Sequence, residues 1–420
     1  MPSMTVVRRY STYFWTFGSR VGVIGLTAIF GILSARLLGP TDKGIYTVAT
    51  LIPAIISTIA MLAGPQVVVM DVSKNGAVGP RIHKLLRWSL MTASIGASIC
   101  FLVQLASTSG ELSPINLLAG IASFIGPALI IPEFFAALLQ ARRAFRALAL
   151  FRIFQIFLPG FLMIVGLTFF QLGGALLGYV TGTTIVAAYT CALWAKSSKI
   201  RKSALGGRDA VPWNFVLTTN ITLIVLFMSY RLDVIILNAI STSKEVGLYS
   251  AAVALAELVL VASMTAAVVR APAYAVDHSR SIGTDTWIVL GLSALASVTI
   301  AAISPTLVPL LFGTDYKESV FAVWGLLPGI CVLSVYRYIS NAEIIRGHKF
   351  GVLYSCLIAI GVDIAVLIFI GADMGALGAS LAASLGYASG LVYLLGHRSI
   401  RARASTPRSA RKGKLLMSRD

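Results

Sequence analysis

Two stretches decide the architecture: LLGPTDKGIYTVA at 37–49 and ISTSKEVGLYSAA at 240–252. At an offset of 203, Gly44 meets Gly247, Tyr46 meets Tyr249 and Ala49 meets Ala252; Asp42 meets Glu245 and Thr47 meets Ser250 conservatively. Each stretch ends one long apolar run and opens another. Two further echoes follow: GGALLG at 173–178 with MGALGA at 374–379, and LLQARRAF with IIRGHKF. Self-similarity at half the chain length marks a duplicated unit.

The composition says which kind of unit. The 420 residues are 57% hydrophobic and 12% charged, with a mean hydropathy of +0.86. A globular chain carries about twice that charge. About twelve spans of ~20 residues fit this apolar content. Disorder, a secreted disulfide scaffold and a nucleic-acid-binding domain are excluded together. Cys100, Cys191, Cys331 and Cys356 are far apart and form no metal or disulfide pattern.

Apolar runs predict spans near 14–36, 44–69, 88–107, 115–139, 149–170, 173–194, 214–238, 247–269, 286–312, 319–341, 350–371 and 374–396. No alternating strand pattern appears, so the spans are read as helices. The N-terminal run is longer than a cleavable signal core and reads as a retained anchor. With the N-terminus in the cytosol, 27 of the 34 Lys and Arg fall on cytosolic segments, four on outer loops and three within spans. Cytosolic loops carry such an excess, so both termini are placed inside. The chain divides into a six-helix lobe at 1–194, a basic linker at 195–212, a second lobe at 213–397 and a basic tail at 398–420. The tail reads as an anionic-lipid contact. An even number of spans per half makes the repeats parallel, with the substrate path between them.

The strings ARLLGPTDKGIYTVATL, DVIILNAISTSKEVGLYSAAVALAEL and LVPLLFGTDY resemble the polysaccharide-transporter branch of the multidrug/oligosaccharidyl-lipid/polysaccharide (MOP) exporter superfamily, whose fold the MATE transporters share. The resemblance runs over essentially the whole chain. It implies a flippase that carries undecaprenyl-diphosphate-linked oligosaccharide to the outer leaflet of the cytoplasmic (inner) membrane, by alternating access and without covalent chemistry. It also implies a cationic cavity between the lobes, and glycosyltransferases and a polymerase as partners beside membrane lipids. Lipid II flippases of the superfamily usually have fourteen spans, so twelve favours the polysaccharide branch.

Charge inside the spans is the chemistry on offer. A mid-bilayer charge costs at least ~2.5–3.5 kcal/mol, so each should face a cavity or a partner. Arg20 and Arg231 stand on the equivalent spans 1 and 7, at different heights. Both are candidates for the diphosphate, because a guanidinium stays charged and grips oxygens in pairs; snorkelling to headgroups is the competing reading. Arg337 and Glu133 lie at similar depth in spans 10 and 4, either as a gate across the cleft or as ion pairs within one lobe. Arg337 is also a substrate-binding candidate. Asp233, Glu257 and Asp363 are candidates for proton or Na⁺ coupling. Tyr230, Tyr336, Tyr338 and Asn341 are candidates for sugar hydroxyls, with packing the favoured use of each. The four histidines fall outside the spans.

A cation-coupled drug exporter of the same fold, or a lipid II flippase, is the alternative transport reading; a third is a membrane scaffold that docks glycosyltransferases through its basic tail, which would need neither the repeat nor the buried charges. An enzyme is not expected, since no nucleophile, P-loop or metal-ligand motif appears. No cofactor is expected beyond a coupling ion.

Overall fold

The computed structural model describes residues 3–107, 120–197, 211–260, 283–345 and 349–405. The longer elements are eleven α-helices: α1 (Ser3–Ala60), α2 (Gly64–Asn75), α3 (Pro80–Ser107), α4 (Ile125–Ala141), α5 (Phe145–Ser197), α6 (Trp213–Met228), α7 (Leu232–Ile240), α8 (Ser243–Ala256), α9 (Gly283–Phe312), α10 (Ser319–Ile345) and α11 (Lys349–Ser405). No strand occurs among the described residues.

Three helices are too long for one crossing. A helix rises ~1.5 Å per residue against a ~30 Å hydrocarbon core; α1, α5 and α11 have 58, 53 and 57 residues. Each breaks: α1 at Gly39, α5 at Phe170 and Gln171, and α11 at Gly375. These breaks fall in or within two residues of the gaps read between predicted spans. Seven helices are long and apolar enough to cross. With the three broken ones folded back as hairpins, they supply ten crossings among the described residues. Helices α6 and α7, bent by 49°, make another. The eighth predicted span begins in α8, and its remainder lies outside the described residues.

Small residues hold the hairpins shut. Within lipid, helices attract each other mainly through close packing, which glycine permits. Gly174, Gly178 and Gly182 of α5 lie against Gly166, Leu162 and Pro159, and a Cβ at any of the three would overlap the opposite backbone. In α11, Gly378 lies against Ile370 and Gly371, and Gly386 against Ala359 and Asp363. These contacts correct the register of the late repeat. The echo aligns Gly174 with Gly375, but the turn geometry aligns Gln171 (φ 50°, ψ −134°) with Gly375 (φ 51°, ψ −126°). That offset is 204, and it also superposes the glycine contacts. The echo matched letters; the backbone turn sits three residues earlier in the first half.

The early repeat forms the central crossing. A Cβ on Gly44 would overlap the Ser243 carbonyl oxygen, and one on Gly247 would overlap that of Pro40. The matched glycines thus let α1 and α8 pass backbone to backbone at the end of the bundle that holds the hairpin turns. There Tyr316 donates to the Ala35 carbonyl at 3.0 Å, and Arg36 donates to that of Leu310 at 3.1 Å. At the opposite end, the Asn220 side chain of α6 accepts from the Ala63 N–H at 3.1 Å and donates to the Ile59 carbonyl at 2.9 Å. It covers the break between α1 and α2.

Four expectations need correction. The predicted span 44–69 is not continuous: α1 ends at Ala60, Leu62 and Ala63 take positive φ, and Pro65 opens α2, where its missing N–H costs nothing. The predicted span 214–238 breaks at 229–231. The linker expected at 195–212 starts later, since α5 runs to Ser197; residues 198–210 lie outside the described residues. The tail expected from 398 begins inside a helix, because α11 continues to Ser405 and Arg398 and Arg401 pair with the buried Glu343 at 3.2 and 2.8 Å.

Alanine at Gly44 should force the crossing helices apart and lower stability by about 1–3 kcal/mol, the usual scale of overpacking. Alanine at Gly25, whose Cβ would meet nothing within 4 Å, should be neutral or slightly stabilising. Thermal unfolding in detergent compares the two; equal midpoints would show that the crossing is not close-packed.

Candidate functional site

The break between α6 and α7 builds the site. Ser229, Tyr230 and Arg231 interrupt the helix. The Ser229 hydroxyl donates to Leu226 at 2.8 Å, and Arg231 stands at the start of α7 with φ −139°. Polar residues are tolerated at membrane depth where they line a cavity or meet protein partners. Here Tyr230, Asp233, Tyr249, Glu257, Arg337 and Tyr387 gather around one tight pocket.

Asp233, Glu257 and Arg337 line this pocket, and Arg231 and Asp363 stand beside its lining residues. The Arg231 guanidinium lies 3.3 Å from the Glu257 carboxylate, both side chains about a third exposed (36% and 39%). That pair is longer and more exposed than the pairs of Asp71 and Glu343. Asp233 is buried and accepts from the Tyr249 hydroxyl and, at 2.8 Å, from the Val234 N–H. Arg337 spreads its guanidinium over the Tyr230 ring, 4.1 Å from the centroid, a cation–π geometry. Tyr230 and Tyr387 face one another at 6.4 Å. Asp363 packs against Gly386 beside Tyr387 and leaves its Oδ1 without a hydrogen-bond partner among the described residues.

The structure therefore brings Arg231, Asp233, Glu257, Arg337, Tyr230 and Asp363 into one neighbourhood. Other candidates go elsewhere. Arg20 lies within α1, and its side chain is outside what the structure describes. Asn341 is exposed on α10. Tyr336 is buried and bonds Ser355 at 2.8 Å and Cys356 at 3.0 Å, while Tyr338 is buried. Glu133 does not meet Arg337 in this conformation, so the gate across the cleft is not made. Arg152 of α5 donates to Glu133 at 2.9 Å, and the Gln155 amide donates to it at 3.1 Å. By its place near the start of the fifth predicted span, Arg152 is one of the 27 basic residues read as cytosolic. Helix pairing brings it level with a carboxylate nineteen residues away.

A larger cavity, about 360 Å³, opens in the N-terminal half between α1, α4 and α5. Its lining includes Phe30, Ser34, Lys43, Tyr46, Gln155 and Tyr179. Lys43 lies between the first two predicted spans and is one of the four basic residues read onto outer loops; the turn at Gly39 places it inside, on the cavity wall. The only signal in the sequence was Tyr46, the repeat mate of Tyr249. Among the described residues, no group of three His, Cys, Asp or Glu is placed to hold a metal ion.

The family described as polysaccharide biosynthesis protein matches residues 11–276. No curated protein matches the sequence. Among solved structures, the lipid II flippase MurJ in an inward closed conformation is similar at 14% identity and TM-score 0.71, over 93% of this chain and 87% of that one. An inward-facing MATE family multidrug resistance transporter of the MOP superfamily is similar at 14% identity and TM-score 0.61, over 91% and 96%. A MATE transporter from Vibrio cholerae is similar at 12% identity and TM-score 0.61, over 94% and 97%. With its helical hairpins and broken helix, the chain has the fold of these multi-pass membrane transporters and belongs to the polysaccharide biosynthesis protein family.

Proposed function

We propose that the protein is a flippase for undecaprenyl-diphosphate-linked oligosaccharide. It would carry repeat units across the cytoplasmic membrane for polysaccharide assembly, without making or breaking a covalent bond. Membership of the polysaccharide biosynthesis family carries the reading. The chemistry of the broken helix supports it. Arg231 and Arg337 flank Tyr230 at a break inside the bundle, and Arg231 is held only loosely, by Glu257. A diphosphate presents more charge and more acceptor oxygens than one carboxylate, so it can take that arginine from Glu257. The lipid tail would stay in the bilayer while the headgroup passes.

The distribution of basic residues supports a direction in which both termini and the basic linker after Ser197 lie on the cytosolic face, with the tail beyond the last helix against anionic lipid. Coupling is assigned to Asp233 and Asp363. Both carboxylates are buried in the same neighbourhood of the bundle, and the Asp363 Oδ1 has no hydrogen-bond partner among the described residues, which leaves an acceptor for a proton or Na⁺.

Deletion of the gene should accumulate a diphosphate-linked oligosaccharide on the cytosolic leaflet, measured by lipid extraction and mass spectrometry. Accumulated lipid II, or unchanged glycan with new drug sensitivity, would move the assignment to the lipid II flippase or the drug exporter. Arg231→Ala should lower export by about tenfold or more, while Glu257→Gln, which frees the arginine, should retain it. Equal loss in both would make the pair purely structural. In proteoliposomes, Asp363→Asn should leave transport indifferent to imposed proton and Na⁺ gradients; an unchanged response would remove Asp363 from the coupling.

A further inference from the structure

The duplicated halves use the same place in the fold for different chemistry. At offsets of 203 and 204, Tyr46 corresponds to Tyr249, Phe30 to Asp233, Leu129 to Leu333, Glu133 to Arg337 and Thr183 to Tyr387. In the C-terminal half, Tyr230, Tyr387 and Arg337 fill the space, and the pocket left is about 10 Å³, no more than one water. In the N-terminal half, the corresponding Thr27 and Thr183 leave about 360 Å³. That is within the range of small-molecule sites.

The charge differs as well. Lys43 is buried, 9% exposed, and lines the cavity. Its ammonium donates to the Ser34 hydroxyl at 2.7 Å and lies 5.2 Å from the centroid of the Tyr46 ring. No carboxylate pairs with it among the described residues. The corresponding positions in the other half are Val246 and Leu237, both fully buried in the apolar core. Packing at this place is therefore satisfied by two hydrocarbons. Lysine and serine there must overcome the cost of a charge inside the bundle, and the fold gains nothing from them that valine and leucine do not supply.

An ammonium has three donors, and here one is used by Ser34 and one side is covered by Tyr46. The remaining capacity is available to an acceptor in the cavity. The cavity is also lined by the rings of Phe30, Tyr46 and Tyr179 and by two polar groups, Gln155, which already bonds Arg152 and Glu133, and Thr183, whose hydroxyl donates to the Tyr179 carbonyl. Rings beside hydrogen-bonding groups suit a pyranose, which has apolar faces and a hydroxyl rim. An acidic group on that pyranose would meet the lysine.

We propose that the N-terminal cavity is a binding site for an acidic sugar, with Lys43 as the cation that recognises its carboxylate or phosphate. The choice of a sugar rests on the flippase reading; the choice of an anion rests on Lys43 alone.

Binding to the purified full-length protein in nanodiscs tests this without any transport assay. The probes are glucuronate, glucose and inorganic phosphate, followed by calorimetry and thermal shift. Glucuronate should bind, glucose should bind about ten- to a hundredfold more weakly, and Lys43→Met should reduce glucuronate affinity by a similar factor. A second variant guards against misfolding. Thr27 is exposed at the cavity wall, so Thr27→Trp should block the cavity, abolish glucuronate binding and leave the unfolding midpoint unchanged. Undiminished glucuronate binding in both variants, or no anion binding by the unmodified protein, would overturn the proposal. Inorganic phosphate binding as tightly as glucuronate would overturn the sugar while keeping the anion. Loss of the lipid-accumulation phenotype would sink the flippase reading but leave these binding results standing.

Discussion

A peptide group in hydrocarbon has no water to bond, so nearly every described residue is committed to helix and the helices must find one another by contact alone. That constraint explains where the glycines are. Gly44 against Ser243 and Gly247 against Pro40 let two backbones touch at the central crossing. Gly174, Gly178 and Gly182 do the same along the α5 hairpin. Where the helix is interrupted, a side chain takes over the orphaned groups: Asn220 serves Ala63 and Ile59, and Glu245 accepts from the Ala376 N–H beside the turn at Gly375 at 2.8 Å.

The same scarcity of partners organises the charges. Asp71 is held by Arg81, Glu133 by Arg152 and Gln155, Glu343 by Arg398 and Arg401, and Glu257 by Arg231. These differ in tightness, and the difference carries meaning. Asp71 and Glu343 are almost wholly buried and bind structure to structure, whereas Arg231 and Glu257 remain a third exposed at 3.3 Å. Only the second kind of pair would be open to exchange with the diphosphate proposed above.

Much of this was legible in the sequence. Apolar length separated the first two spans around Gly39, and the match of Gly44 with Gly247 marked a duplication whose two glycines the structure puts at one helix crossing. Burial of charge pointed to Arg231, Asp233, Glu257, Arg337 and Asp363, which the fold gathers. What escaped depends on which helices lie side by side. Arg152 reaches Glu133 only because α4 and α5 pair, and Lys43 enters a cavity only because the turn at Gly39 points it inward. The break at 229–231 also hid, because Ser-Tyr-Arg within an apolar run carries no Gly or Pro to announce it.

The pairing of Glu343 with Arg398 and Arg401 has a mechanical result. It rivets the emergent end of α11 to the end of α10, the helix that also bears Arg337. That protruding stub is therefore a stiff handle, not a loose thread. Any rearrangement of α10 during a transport cycle would swing it, so a protein gripping the handle would sense which way the carrier is facing.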